Sequence, residues 1–68
     1  MNVTINGEPR TLEAGTTVAS VISLLDVAPG ARGVAVALDG EVVTRSSWAA
    51  TLLRDGARVE VLGAIGGG

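Results

Sequence analysis

Only one of the 68 residues, Trp48, is aromatic, and none is a cysteine. A chain of this length is one domain at the small end of what folds unaided. Here it must fold without disulfides or a thiolate zinc site. Hydrophobic residues make up 47% of the sequence, so a core is available, built from Val, Leu, Ile and Ala around a single ring. Aliphatic side chains of this size bury little area per residue, and the expected net stability is modest.

The pattern of those aliphatics defines the elements. Asn2 to Asn6 alternate polar and apolar, the period of a half-buried strand. Asn6-Gly7 follows, a strong hairpin signal because a type I′ turn needs positive φ at both central positions. The spacing predicts a return strand over Pro9–Glu13, with Pro9 at its start and Leu12 as its core contact. After Ala14-Gly15, Thr16 or Thr17 caps a helix. Val18, Val21, Ile22 and Leu25 make its apolar stripe, Ser20 and Ser23 take the wet side, and Pro29-Gly30 ends it.

Val34, Val36 and Leu38 alternate with Ala35 and Ala37, predicting a central strand that is apolar on both faces. Asp39-Gly40 turns into a short strand at Glu41–Val43. Ser46 or Ser47 caps a short helical turn running from Trp48 to Leu53. Asp55-Gly56 turns again, Arg58–Val61 is the last strand, and Leu62 to Ile65 carry it outward. The expected class is α+β, a mixed sheet of about five strands on one main helix plus a short helical turn. Residues 1–65 form the domain and residues 66–68 a flexible C-terminal glycine tail. No repeat or linker interrupts it.

Function classes narrow by elimination. The chain has no His, Lys, Tyr or Cys, the residues that supply most general bases, Schiff-base amines and activated nucleophiles. Its seven carboxylates are scattered singly, so no acid/base pair is placed and no catalytic residue is expected. Net charge is −2 with five dispersed arginines, which offers neither the basic patch nor the stacking platforms of a nucleic-acid binder. The longest apolar run, Val34 to Leu38, is far short of a membrane span. Strand-like alternation from Val3 argues against a signal peptide, and the cytosol is the expected location. No metal or bound cofactor is expected.

What remains is the end of the chain, Gly66-Gly67-Gly68. Without Cβ, such a tail enters a channel that excludes other residues, and it presents an unhindered carboxylate. Frayed ends are also rich in glycine, so the tail gains meaning from what precedes it.

The segment Gly33-Val34-Ala35-Val36-Ala37-Leu38-Asp39-Gly40-Glu41-Val42-Val43, followed by Arg45-Ser46-Ser47-Trp48, resembles the middle of the ThiS sulfur carrier family of thiamine biosynthesis. Leu53-Arg54-Asp55-Gly56-Ala57-Arg58-Val59-Glu60-Val61-Leu62 and the opening Asn6-Gly7-Glu8 hairpin fit the same family. The resemblance implies a ubiquitin-like β-grasp fold. Two positions depart from the family pattern. Ala57 stands where the family has the second Asp of Asp-Gly-Asp, and Gly66 stands where its Ala-Val-Gln-Gly-Gly tail has Gln. Losing that Gln side chain bears on which partner docks the tail; Gly67 and Gly68 are intact.

The resemblance implies a carrier that is not itself an enzyme. An E1-like (ThiF-like) adenylyltransferase, using ATP and Mg, would convert the Gly68 carboxylate to an acyl-adenylate. Sulfur originating from a cysteine desulfurase would replace AMP to leave a thiocarboxylate (1-thioglycine), consumed by a ThiG-like thiazole synthase. Gly66 and Gly67 would be read by the partner's channel, and the free carrier would be a monomer. Leu62 and Ile65, flanking the tail root, are candidate partner contacts or edge-strand packing. Arg45 and Trp48 are a candidate docking pair, or Trp48 is a lid over one end of the core. Two other functions fit the tail: a sulfur carrier for molybdopterin or a secondary metabolite, and a ubiquitin-like protein modifier. Without lysine, a modifier could not build isopeptide chains on itself. A non-covalent β-grasp adaptor is the third class.

Overall fold

The structure is a computed structural model that describes residues 1–25 and 33–63. Its elements run β1 (Asn2–Ile5), β2 (Glu8–Thr11), α1 (Val18–Leu24), β3 (Ala35–Leu38), β4 (Glu41–Val43), a 3₁₀ helix (Arg45–Ala50) and β5 (Arg58–Leu62). One five-stranded sheet forms in the order β2-β1-β5-β3-β4. Two antiparallel hairpins, β1–β2 and β3–β4, are joined through β5, which runs parallel to β1 (Thr4 opposite Arg58, Ile5 opposite Val59) and antiparallel to β3. This mixed sheet with its helix is the β-grasp fold.

The first hairpin follows from Asn6-Gly7, whose φ values of 51° and 82° are both positive, as a type I′ turn requires. The return strand begins one residue earlier than its pattern suggested and ends at Thr11, so Pro9 lies inside it. Position in the sheet explains the tolerance: β2 is an edge, where a missing N–H matters least. Leu12 falls just beyond the strand, half-buried against the core, its N–H donating to the Met1 carbonyl at 2.9 Å. The Met1 ammonium donates in turn to the Leu12 carbonyl at 2.8 Å.

Helix α1 starts at Thr17, whose side-chain oxygen accepts the Ser20 N–H at 3.2 Å. Val18, Val21 and Ile22 are buried and Leu25 is half-buried at the C-cap, which matches the apolar stripe. Pro29-Gly30 lies outside the described residues. The helix start is tied to the far end of the chain: Val18 N–H donates to the Thr51 carbonyl, and Leu53 N–H to that of Thr16, each at 3.0 Å. The predicted helical turn is a 3₁₀ helix that begins at Arg45, with Thr44 rather than Ser46 or Ser47 at its N-cap position.

Strand β3 departs from its expected setting. β5, not β3, holds the centre of the sheet, and only one face of β3 is covered. Val36 is buried while Ala35 is exposed. A chain this short supplies a single helical layer, and alanines on the other face leave little apolar area in water. The core lies between sheet and helix, with Val18, Val21, Val36 and Val59 its fully buried side chains, and Trp48 and Leu53 packed with them.

Three turn residues also act at long range. Asn6 Oδ1 accepts the Val61 N–H at 2.8 Å, Asp39 Oδ1 that of Arg58 at 2.9 Å, and Asp55 Oδ1 that of Asn2 at 2.6 Å. Each satisfies a backbone donor at the margin of β1 or β5, which would otherwise lack a partner. Asn6→Gly keeps the positive φ and removes only the acceptor. The expected cost is about 1 kcal/mol, a fall in Tm of roughly 4–8 °C in a thermal melt.

Candidate functional site

Strand alternation sorts the central strand into two faces. Val59 and Val61 point into the core, while Arg58, Glu60 and Leu62 are directed to the uncovered side. Register extends that outer face across the sheet: Leu62 pairs with Ala35, Glu60 with Ala37, and Ala37 with Val42. Val42 is 75% exposed and Leu62 65%, so an open apolar strip runs over β4, β3 and the end of β5. Apolar side chains gathered on one open face are the usual mark of a partner-binding surface. Arg58 and Glu60 lie beside the strip, their charged groups 3.7 Å apart in solvent. Leu62 also borders a shallow depression lined by Asn6, Gly7, Arg58 and Glu60.

Strand β5 ends at Leu62, one residue beyond the Arg58–Val61 alternation. Gly63 follows with φ +152°, pressed against the backbone at Gly33 and Val34. Ile65, Gly66, Gly67 and Gly68 lie outside the described residues.

Arg45 and Trp48 are together, but away from the strip. The Trp48 ring belongs to the core cluster on the opposite face of the sheet, 7% exposed, with its Nε1–H donating to the Val43 carbonyl at 2.9 Å. The Arg45 guanidinium stacks over it, 4.8 Å from the ring centroid. The geometry therefore joins Leu62 to Val42, Ala35 and Ala37, and does not join it to Arg45 and Trp48.

Val42 was not singled out by its local sequence, although the Asp39-Gly40 turn carried the necessary signal. A two-residue hairpin loop fixes the register that sets Val42 opposite Ala37 on the outer face. Gly63 had no such local signal, because its neighbour lies about 30 positions away in the chain.

Among the described residues no group of three or more His, Cys, Asp or Glu could hold a metal. No described helix is long and apolar enough to cross a membrane. The arrangement offers an exposed apolar face at the end of β5.

Comparison with known proteins bears on that reading. A model of the ThiS family matches residues 3–68. The crystal structure of a thiamine biosynthesis protein (ThiS) from Geobacter metallireducens is 44% identical, with a TM-score of 0.75 and full coverage of both chains. An NMR solution structure of a thiamine biosynthesis protein from the same organism is 43% identical, also at 0.75, and covers all of this chain and 88% of that one. Two thiazole synthases, from Magnetococcus marinus and Paramagnetospirillum magneticum, are each 40% identical over all 68 residues. The chain spans 20% of the length of these two curated relatives.

Proposed function

The chain belongs to the ThiS family, and on that premise we propose that it carries sulfur for thiamine biosynthesis as a thiocarboxylate on Gly68. The observation that carries this reading is that the family match runs through Gly67 and Gly68, on a body with an exposed apolar strip at the tail root. The protein is a carrier rather than an enzyme.

The chemistry follows from what a carboxylate lacks. It is a poor electrophile, so an adenylyltransferase with ATP and Mg joins the Gly68 carboxylate to AMP and releases pyrophosphate. A persulfide sulfur, supplied by a desulfurase, then attacks the acyl carbon and AMP departs. Cleavage of the new sulfur–sulfur bond by a partner thiol leaves the thiocarboxylate on the carrier and a disulfide on the partners. Thiazole synthase is the proposed consumer. Two proteins of that name contain a stretch 40% identical to this whole chain, which supports it.

The body's part is docking and reach. Six residues from Gly63 to Gly68, extended at ~3.3–3.6 Å each, span roughly 20 Å. That length places Gly68 in an enclosed site while Leu62 and Val42 rest on the partner's surface.

Pyrophosphate release by the cognate adenylyltransferase, with this protein as the varied substrate, tests the reading. Leu62→Asp and Val42→Asp are expected to raise KM by roughly tenfold or more, as loss of an apolar anchor worth at least about 1.4 kcal/mol would do. Their thermal melts should stay near the wild type, because both side chains already face solvent. No release from the wild-type protein, with an enzyme competent on another carrier, would remove the carrier reading. Wild-type kinetics in both Asp variants would remove the strip from it.

A further inference from the structure

The β3–β5 ladder closes at the pair Ala35 and Leu62, and Gly63 is the next residue out. Its φ of +152° is a conformation that L side chains rarely adopt. A Cβ at this position would run into the Gly33 carbonyl oxygen and would stand 2.8 Å from the Val34 Cα. Both obstacles are backbone, just before β3, so neither can swing aside as a flexible side chain would. Two independent constraints, conformation and space, thus require glycine at an exposed position where no core packing is at stake.

An L-residue at 63 has two ways out. It can rotate to negative φ, which swings the peptide joining it to Ala64. It can instead lift the end of β5 away from Gly33. Either response changes the direction in which the chain leaves the sheet, and Leu62, the last residue of the apolar strip, is its immediate neighbour. The lever is long: Gly68 lies five positions beyond Gly63. When they are held extended over roughly 17 Å, a turn of about 20° at Gly63 moves the far end by about 6 Å.

We propose that Gly63 is a positioning residue that sets the angle between the docked outer face and the C-terminal tail. This rests on the Gly68 reading above. With the strip seated on the activating partner, the angle at Gly63 decides whether the carboxylate arrives at the nucleotide. A displacement of about 1 Å at reacting groups costs up to roughly 10²-fold in rate, so small rotations matter.

The test compares three proteins: wild type, Gly63→Ala, and a synthetic chain with D-alanine at position 63. The D-residue favours positive φ and points its methyl away from Gly33, so it adds the same atoms without the collision. Residual dipolar couplings of backbone N–H groups report orientation without any enzyme, and adenylation kcat/KM reports the consequence. Gly63→Ala should keep wild-type couplings through β1, β3 and the body of β5, change them at Leu62 to Ala64, and lose roughly 10²-fold in kcat/KM. The D-alanine protein should keep the wild-type couplings and kinetics.

Unchanged couplings at Leu62 to Ala64 in Gly63→Ala would overturn the exit-angle argument. Changed couplings with wild-type kcat/KM would overturn the positioning role. Equal loss in the L- and D-alanine proteins would overturn the assignment to Gly33 and Val34. If Gly63→Ala fails to fold, the D-alanine protein decides alone, since wild-type couplings and kinetics there tie the requirement to chirality. A wild-type protein that is not adenylated would instead sink the Gly68 reading, while the couplings still decide the exit angle.

Discussion

Trp48→Ala is expected to remove at least a third of the chain's stability at 25 °C. Trp48 is the only aromatic residue, buried to 7% exposure, and its ring closes one end of a core otherwise made of Val, Ile, Leu and Ala. Truncating a buried Trp costs about 3–5 kcal/mol through lost transfer energy and the cavity left behind. At about 0.05–0.15 kcal/mol per residue, a chain this short holds about 3–10 kcal/mol in all. The loss therefore spans from a third to the whole of its stability. At roughly 4–8 °C per kcal/mol, the midpoint should fall by at least about 12 °C. Far-UV circular dichroism is the measurement, since the variant has no Trp to follow. Trp48→Phe keeps most of the packing and loses the bond to the Val43 carbonyl, so it should melt between the two. A Trp48→Ala midpoint within a few degrees of wild type (~5 °C, under about 1 kcal/mol) would show that the ring is not what closes the core.

Gly67→Val is expected to do the reverse, leaving the melt unchanged and stopping activation. Position 67 comes five residues after the end of β5 in the sequence. Val brings a branched Cβ that crowds an extended channel and disfavours the φ values open to glycine. Activation should fall by roughly 10²-fold or more, the scale of misplacing a reacting group by about 1 Å. Gly66→Gln, which restores the usual family residue, should activate normally. Single-turnover adenylation separates the cases: Gly67→Val activated as fast as wild type would show that no narrow channel reads the tail.

The fold was legible wherever the signal is local. Asn6-Gly7 needs nothing beyond its own two φ values to make a hairpin, and Val18, Val21 and Ile22 need only their spacing to make a helix face. What required the rest of the chain was harder to see. Nothing in Asn2–Ile5 or Arg58–Leu62 indicates that they pair in parallel at the centre of the sheet. The placement of β3 was misjudged because an Ala/Val alternation reads as two apolar faces whether or not a second layer exists to cover one of them. Asn6 and Asp55 were legible as turn residues, but their hydrogen bonds reach 55 and 53 positions along the chain, where no periodicity reports them.

The candidate site divides the same way. Leu62 could be named from its place beside the tail, whereas Val42 joins it only through pairing of both strands to β3. From the sequence, Trp48 and Arg45 read either as a docking pair or, the reading preferred for Trp48, as a lid over the core. The hydrogen bond to Val43 and the burial of the ring place Trp48 with the core.

The most direct measurement is the intact mass of the protein after incubation with its adenylyltransferase, ATP, Mg and a persulfide source. The account predicts a rise equal to replacement of one oxygen by one sulfur, assigned by fragmentation to Gly68, absent without ATP and reversed when thiazole synthase and its substrates are added. An unchanged mass, with the same enzyme thiolating another carrier in parallel, or sulfur found at any residue other than Gly68, would contradict it.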